Sequence, residues 1–214
     1  MLKNKIQVDV THYEFEKYVS KKRWISYYYQ LQFVVDSACS SVLVIGKGDN
    51  IVPECLKLVY GRDDIEIDTF DFDPCLNPTI LGDIREIDKI VKKKYDCVIC
   101  CQVLEHLEFE YFEKVIKGIS NICKKKFIIS LPVSRFFHAT IHTDVSLLQD
   151  IYIKIVIPNL FKKYSSRMEH RWELGNLGKS KIRIGKILEQ YFTVEKKMYV
   201  PDFTFHYFWV CNKI

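Results

Sequence analysis

Val42-Leu43-Val44-Ile45-Gly46-Lys47-Gly48-Asp49-Asn50 is a short apolar run closed by two glycines, and the expected architecture grows from it. Four consecutive apolar residues bounded by a turn signal read as a strand buried on both faces. The glycines at its carboxyl end let the backbone turn tightly and approach a ligand at the start of the following helix. Asn50 tolerates left-handed geometry and can stand in for a further glycine. A dinucleotide fingerprint would place its last glycine at position 51, where this sequence has Ile51, so a nicotinamide-dependent enzyme loses support.

Outward from this run the same alternation recurs. Strands are expected at about 41–46, 65–71, 96–101 and 126–131, with helices between them at about 50–60, 84–94 and 109–122. The last helix carries Phe109, Phe112, Ile116 and Ile119 at helical spacing. Strands alternating with helices imply a doubly wound α/β sheet. Upstream, the aromatic and charged segment from Tyr13 to Val35 reads as one amphipathic cap helix. After Pro132 the alternation breaks down until Ile184, and within that stretch Ile151 to Phe161 is read as helical, interrupted by Pro158. The chain closes with a helix at about 179–191 and two strands, Phe192 to Val200 and Phe203 to Cys211, joined by Pro201-Asp202. The expected organisation is one domain over 1–214, with an N-terminal cap segment at 1–40 and an insertion at 133–178.

Composition removes several classes. With 214 residues, 48% hydrophobic and 28% charged, and only 8 glycines and 6 prolines, the chain is neither disordered nor collagen-like. The net charge of +5 is too mild to imply nucleic-acid binding without a concentrated patch. No apolar run approaches a membrane span, and Met1-Leu2-Lys3-Asn4-Lys5-Ile6 has no signal-peptide pattern, so a cytoplasmic address is expected. The eight cysteines are read as free thiols, several of them in buried runs. Cys97, Cys100 and Cys101 lack a second pair at ligand spacing, so no metal is expected.

Further carboxylates fall at the expected strand ends. Phe70-Asp71-Phe72-Asp73-Pro74 places Asp71 about twenty residues beyond the glycine turn, where a carboxylate can accept from both hydroxyls of a ribose. Gly82-Asp83-Ile84-Arg85 opens the helix expected at about 84–94, and Cys101-Gln102-Val103-Leu104-Glu105-His106-Leu107 closes the strand expected at about 96–101. With these motifs in this order, the chain resembles the class I S-adenosylmethionine-dependent methyltransferases, most strongly over residues 24 to 131. Beyond that core it resembles a bacterial subgroup with an upstream Tyr-Tyr-x-Gln, here Tyr27 to Gln30, and a downstream His-x-Trp-Glu-x-Gly, here His170 to Gly175. Such enzymes occur among small-molecule and surface-glycan tailoring genes.

The resemblance implies a Rossmann-like seven-stranded sheet and S-adenosylmethionine as cofactor. It places the Gly46, Lys47, Gly48 and Asn50 loop beneath the methionine portion, Asp71 on the ribose and Phe72 against the adenine. Asp83 would accept the adenine amino group, Ile84 would supply an adjacent backbone contact, and Cys101 with Gln102 would face the transferred methyl. Many members carry an acidic residue where this chain has Val44, so its hold on the methionine amine is expected to be absent or replaced through Tyr28 or Gln30.

Methyl transfer from a sulfonium is an in-line displacement, so a base is needed only when the acceptor has a proton to lose. The candidate catalytic residues are His106, His170 and Glu173. His106 either lines the acceptor pocket or caps the next helix. His170 and Glu173, three residues apart, either share a functional face or form a surface turn anchored by Trp172. His206, in the closing hairpin, is a further candidate base for which a structural role is the favoured reading, and His138 and His142 carry no assignment. Cys101-Gln102-Val103-Leu104 lacks the Asn/Asp-Pro-Pro-aromatic loop of nucleic-acid amino-methyltransferases, which leaves O-methylation of a small molecule as the leading reading. A cofactor-binding regulator without turnover is the alternative. The acceptor is expected to be anionic, phosphorylated or nucleotide-activated, because residues 134–184 hold nine basic side chains against four acidic ones, including Arg135, Arg167, Arg171 and Arg183.

Overall fold

The computed structural model describes residues 13–60, 65–143, 151–158 and 170–214. Strands β1 (Ser41–Ile45), β2 (Glu66–Asp71), β3 (Ile80–Leu81), β4 (Tyr95–Cys101) and β5 (Cys123–Pro132) come first. An antiparallel pair, β6 (Arg135–Thr143) and β7 (Ile151–Pro158), follows, and β8 (Phe192–Val200) and β9 (Phe203–Lys213) end the chain. Seven of these form one sheet in the order β3-β2-β1-β4-β5-β9-β8, while β6 and β7 form a separate two-stranded sheet. Within the large sheet β1 to β5 pair in parallel, and β9 runs antiparallel between β5 and β8.

Both faces of the sheet are covered, and strand alternation assigns side chains to each. Val42 and Val44 pack with Ile99, Ile128 and Phe208 beneath α2 (Lys21–Val35) and α3 (Ile51–Tyr60). Leu43 and Ile45 pack with Val98, Ile129 and Trp209 on the other face. That second face is covered by α4 (Ile87–Ile90), α5 (Phe112–Ile122) and α6 (Lys181–Leu188). Burial on both sides is the reason β1 reads as an unbroken apolar run.

Three expectations need correction. The cap segment is two helices, α1 (Phe15–Tyr18) and α2, because Ser20 is extended and its side chain accepts from the Arg23 amide at 3.2 Å, starting a new helix. The helix after β3 is a 3-10 turn at Ile84–Glu86 followed by the single turn of α4, and Val91 then returns to extended geometry. Ile151 to Pro158 is strand β7 and not helix, paired antiparallel with β6. Ile151, Ile153, Ile155 and Ile157 alternate with other residues at period two, and β-branched side chains lose rotamer freedom in a helix but fit a pleated surface.

Candidate active site

The strand order reverses between β1 and β4, and the crevice outside the carboxyl ends of those strands is where open α/β sheets bind ligands. Gly46 and Gly48 have φ of 81° and 52°, and Asn50 completes the turn at 62°. A side chain at Gly46 would place its Cβ 2.4 Å from Val103 Cγ2, so the loop after β1 and the loop after β4 touch only because position 46 is glycine. The Lys47 amide donates to Asp71 Oδ2 at 2.8 Å, and the Asp73 amide donates to Asp71 Oδ1 at 3.0 Å. Asp71 is 8% exposed. Burial pushes its carboxyl pKa up despite those two bonds, so the charged form is under-satisfied and has acceptor positions to spare.

A recess of roughly 490 Å³, counting its open mouth, lies over this loop. Its walls come from α2 (Arg23, Tyr27, Gln30), the glycine loop with Asp49, the end of β4 (Cys101, Gln102), and His206 of β9. Tyr27 donates to Asp49, clamping α2 onto the loop, and burial first and Asp49 second push the phenol pKa up. His206 Nδ1 and Ser26 Oγ lie 2.8 Å apart, fixing the same helix to β9. Gln102 sits in the left-handed region at φ 58°, held by its amide to the Ser130 carbonyl at 3.0 Å and by its side chain to Ser130 Oγ at 3.2 Å. A non-glycine residue kept there stores about 1–3 kcal/mol, a cost found most often at functional sites. Burial pushes the Cys101 thiol up to about 12, so it is a neutral wall at ordinary pH.

Several expected positions land differently. Gln30 lines the recess, but Tyr28 is 55% exposed and lies outside it; Tyr27, one residue earlier, takes the inward place. Val44 lines the recess, and the carboxylate in its lining is Asp49. Phe72 is half-exposed beyond the end of β2. The Asp83 carboxylate is gripped by the Arg85 guanidinium, which holds its pKa below the usual range, and it also caps the Arg85 amide at 2.9 Å. Ile84 is buried beside it.

The three candidate catalytic residues come together at one cluster. His170 Nδ1 lies 3.0 Å from Glu173 Oε1, and its Nε2 lies 3.9 Å from Glu105 Oε1. The rings of His106 and His170 meet edge to face at 5.0 Å. Trp172 builds this arrangement. Buried edge-on against Phe109 and Phe112, it donates from Nε1 to the Leu107 carbonyl at 3.0 Å. The backbone follows: the Arg171 amide donates to the Glu105 carbonyl at 2.8 Å, and Leu174 bridges to Val133 at the end of β5. The indole therefore anchors the segment that carries His170 and Glu173, and the segment is a buried turn rather than a surface one.

Sequence reading gave no role to Glu105, the fully buried member of the cluster, or to Arg23 and Asp49 of the recess; His206 also lines the recess while held to Ser26. For Asp49 a signal existed in its place inside the glycine loop. Of the arginines expected near an acceptor, Arg171 is exposed and reaches Glu108 at 3.5 Å, and Arg183 lies over the Phe109 ring while donating to the Gly178 carbonyl. Arg167 lies outside the described residues, as do the side chains of Arg135, His138 and His142. All eight cysteines are free thiols. Among the described residues no helix is long and apolar enough to cross a membrane.

Sheet order, antiparallel closing strand and crevice together define a Rossmann-like α/β fold that solved methyltransferase structures share. Solved structures that share it include the N-methyltransferase NodS from Bradyrhizobium japonicum WM9 with S-adenosyl-L-homocysteine, at a TM-score of 0.65 and 10% identity over 97% of this chain and 94% of that one. Another is magnesium protoporphyrin IX methyltransferase (ChlM) from Synechocystis PCC 6803 with bound SAM, at 0.58 and 14% over 97% and 86%. A third is a putative O-methyltransferase from Nostoc punctiforme PCC 73102, at 0.63 and 14% over 94% and 59%. No protein-family model and no curated protein matches the sequence.

Proposed function

We propose that this protein transfers a methyl group from S-adenosylmethionine to a small-molecule acceptor. The observation that carries the reading is the tie between the Lys47 amide and the buried Asp71 carboxylate, which sets a glycine turn and a ribose-binding acid side by side at the switch point of the sheet. When bound, S-adenosylmethionine supplies an electrophilic methyl on a sulfonium. Asp71 accepts from the ribose hydroxyls, and Phe72 with Ile84 and Asp83 flanks the adenine. Gly46, Lys47, Gly48 and Asn50 pass beneath the methionine portion. Arg23 is the cation for its carboxylate, and Asp49 with Gln30 receives its ammonium. Cys101 and Gln102 form the wall beside the methyl.

At the acceptor side, His106, His170 and Glu173 with Glu105 make the polar cluster able to handle a hydroxyl proton, which favours an oxygen acceptor. The basic excess of residues 134–184 favours an anionic one, such as a phosphorylated or nucleotide-activated sugar or another glycan precursor. Calorimetric titration of the purified chain with S-adenosylhomocysteine tests the core of the reading. One site per chain at micromolar affinity is expected, with no comparable heat from a nicotinamide dinucleotide. Absence of S-adenosylhomocysteine binding, or tighter binding of the dinucleotide, would overturn it.

A further inference from the structure

Glu105 has a fully buried side chain, and neither carboxylate oxygen has a hydrogen-bond partner. An ionised carboxylate in such a place costs several kcal/mol unless a positive charge or a donor meets it. The group that faces it at 3.9 Å is His170 Nε2. Glu173 Oε1 lies 3.0 Å from His170 Nδ1, and a proton held on that nitrogen leaves the Nε2 lone pair directed toward Glu105. Two electron-rich groups then look at one point in a buried space, and His106 closes a third side: ligand atoms of Glu105, His106 and His170 all lie within 4.8 Å of one another.

We propose that Glu105, His106 and His170 form a binding site for a divalent transition-metal cation of the zinc class. Two imidazoles and one carboxylate are a donor set for Zn²⁺ and its neighbours, and are disfavoured by Mg²⁺ and Ca²⁺, which prefer all-oxygen shells. Glu173 is the positioning residue. Its carboxylate on His170 Nδ1 reproduces the carboxylate–histidine–metal arrangement that fixes the tautomer and raises the basicity of the coordinating nitrogen. Bonds of about 2.0–2.2 Å require donor atoms about 3.3 Å apart in a tetrahedron, so small side-chain rotations must draw the three together. Three protein donors leave a coordination position for water or an acceptor oxygen, whose proton the cation would make easier to remove. That last step rests on the methyltransferase reading; the cation site does not.

The site shares a wall with the cofactor recess without belonging to it. Gln102 lines the recess three residues before Glu105, and Phe205, stacked on His170, directly precedes His206. The expectation of no metal was drawn from cysteine spacing alone and did not weigh Glu105 with the two histidines.

The test is calorimetric titration of the chelator-treated full chain with Zn²⁺ under reducing conditions and without cofactor, with Mg²⁺ as the contrast, on wild type, Glu105→Gln and His106→Gln. Wild type should bind one Zn²⁺ at micromolar affinity or tighter and Mg²⁺ far more weakly, and each variant should lose at least tenfold. Melting curves confirm that the variants fold, and either one suffices. Wild type that binds no stoichiometric Zn²⁺, or folded variants that bind it as tightly, would overturn the site. The same holds if Co²⁺ substitution gives a thiolate charge-transfer spectrum, since the free cysteines would then be the ligands. S-adenosylhomocysteine titrated into the same chelator-treated protein reports on the methyltransferase reading separately.

Discussion

Replacing Asp71 with alanine should separate the stability of this protein from its cofactor affinity. The carboxylate accepts from the Lys47 and Asp73 amides, and hydrogen bonds to a charged group contribute about 1.5–3 kcal/mol each. Against them stands the burial that raises the Asp71 pKa. A carboxyl whose folded pKa lies above its unfolded value of about 3.9 gives its stabilisation at pH below that value and loses it as pH rises through the folded pKa. At neutral pH the two contributions largely offset, so Asp71→Ala should cost no more than about 1–3 kcal/mol. The advantage of wild type over the variant should grow as pH falls toward about 4. Cofactor affinity has no such offset. Losing both ribose hydrogen bonds to a charged acceptor should remove at least about 3 kcal/mol, more than a hundredfold in Kd. Denaturant melts between pH 4 and 8 measure the first effect, and calorimetry with S-adenosylhomocysteine the second. A folded Asp71→Ala variant that binds at wild-type affinity would refute the ribose assignment; a wild-type advantage that shrinks toward acid would refute the electrostatic account of the buried carboxyl.

Gly46→Ala should introduce about 1–2 kcal/mol of left-handed strain, and its Cβ should displace Val103, so cofactor affinity falls more than tenfold in calorimetry. Part of that loss should return in the Gly46→Ala, Val103→Ala double variant, and strict additivity would mean that the two loops are not coupled. Trp172→Ala should destabilise the chain by about 3–5 kcal/mol in denaturant melts, because it empties a packed position beside Phe109 and Phe112. A cost under about 1 kcal/mol would show that the indole does not anchor the segment that carries His170.

The sheet was legible because its signals are local. Val42 to Ile45 is apolar throughout since both faces are covered, the glycines stand where the chain must turn, and Phe203 to Cys211 closes a hairpin over a Pro-Asp turn; each effect acts within a few residues of its cause. The place of Asp71 at the end of β2 was legible for the same reason, as it follows from strand length and the spacing between successive strand ends. What needed the tertiary structure was every choice made between distant segments. Whether Tyr27 or Tyr28 faces the recess depends on the rotation of α2, which is set by Ser26 meeting His206 at a separation of 180 residues. The Ile-rich run at 151–158 fits a helix or a strand by composition, and its pairing with β6 decides. Glu105, read as part of a motif, becomes a buried carboxylate with His170 opposite only because Trp172 docks under the loop after β4. Sequence spacing carries the period of a helix or a strand, but desolvation and charge at a site are sums over everything packed around it, and only the folded chain supplies those neighbours.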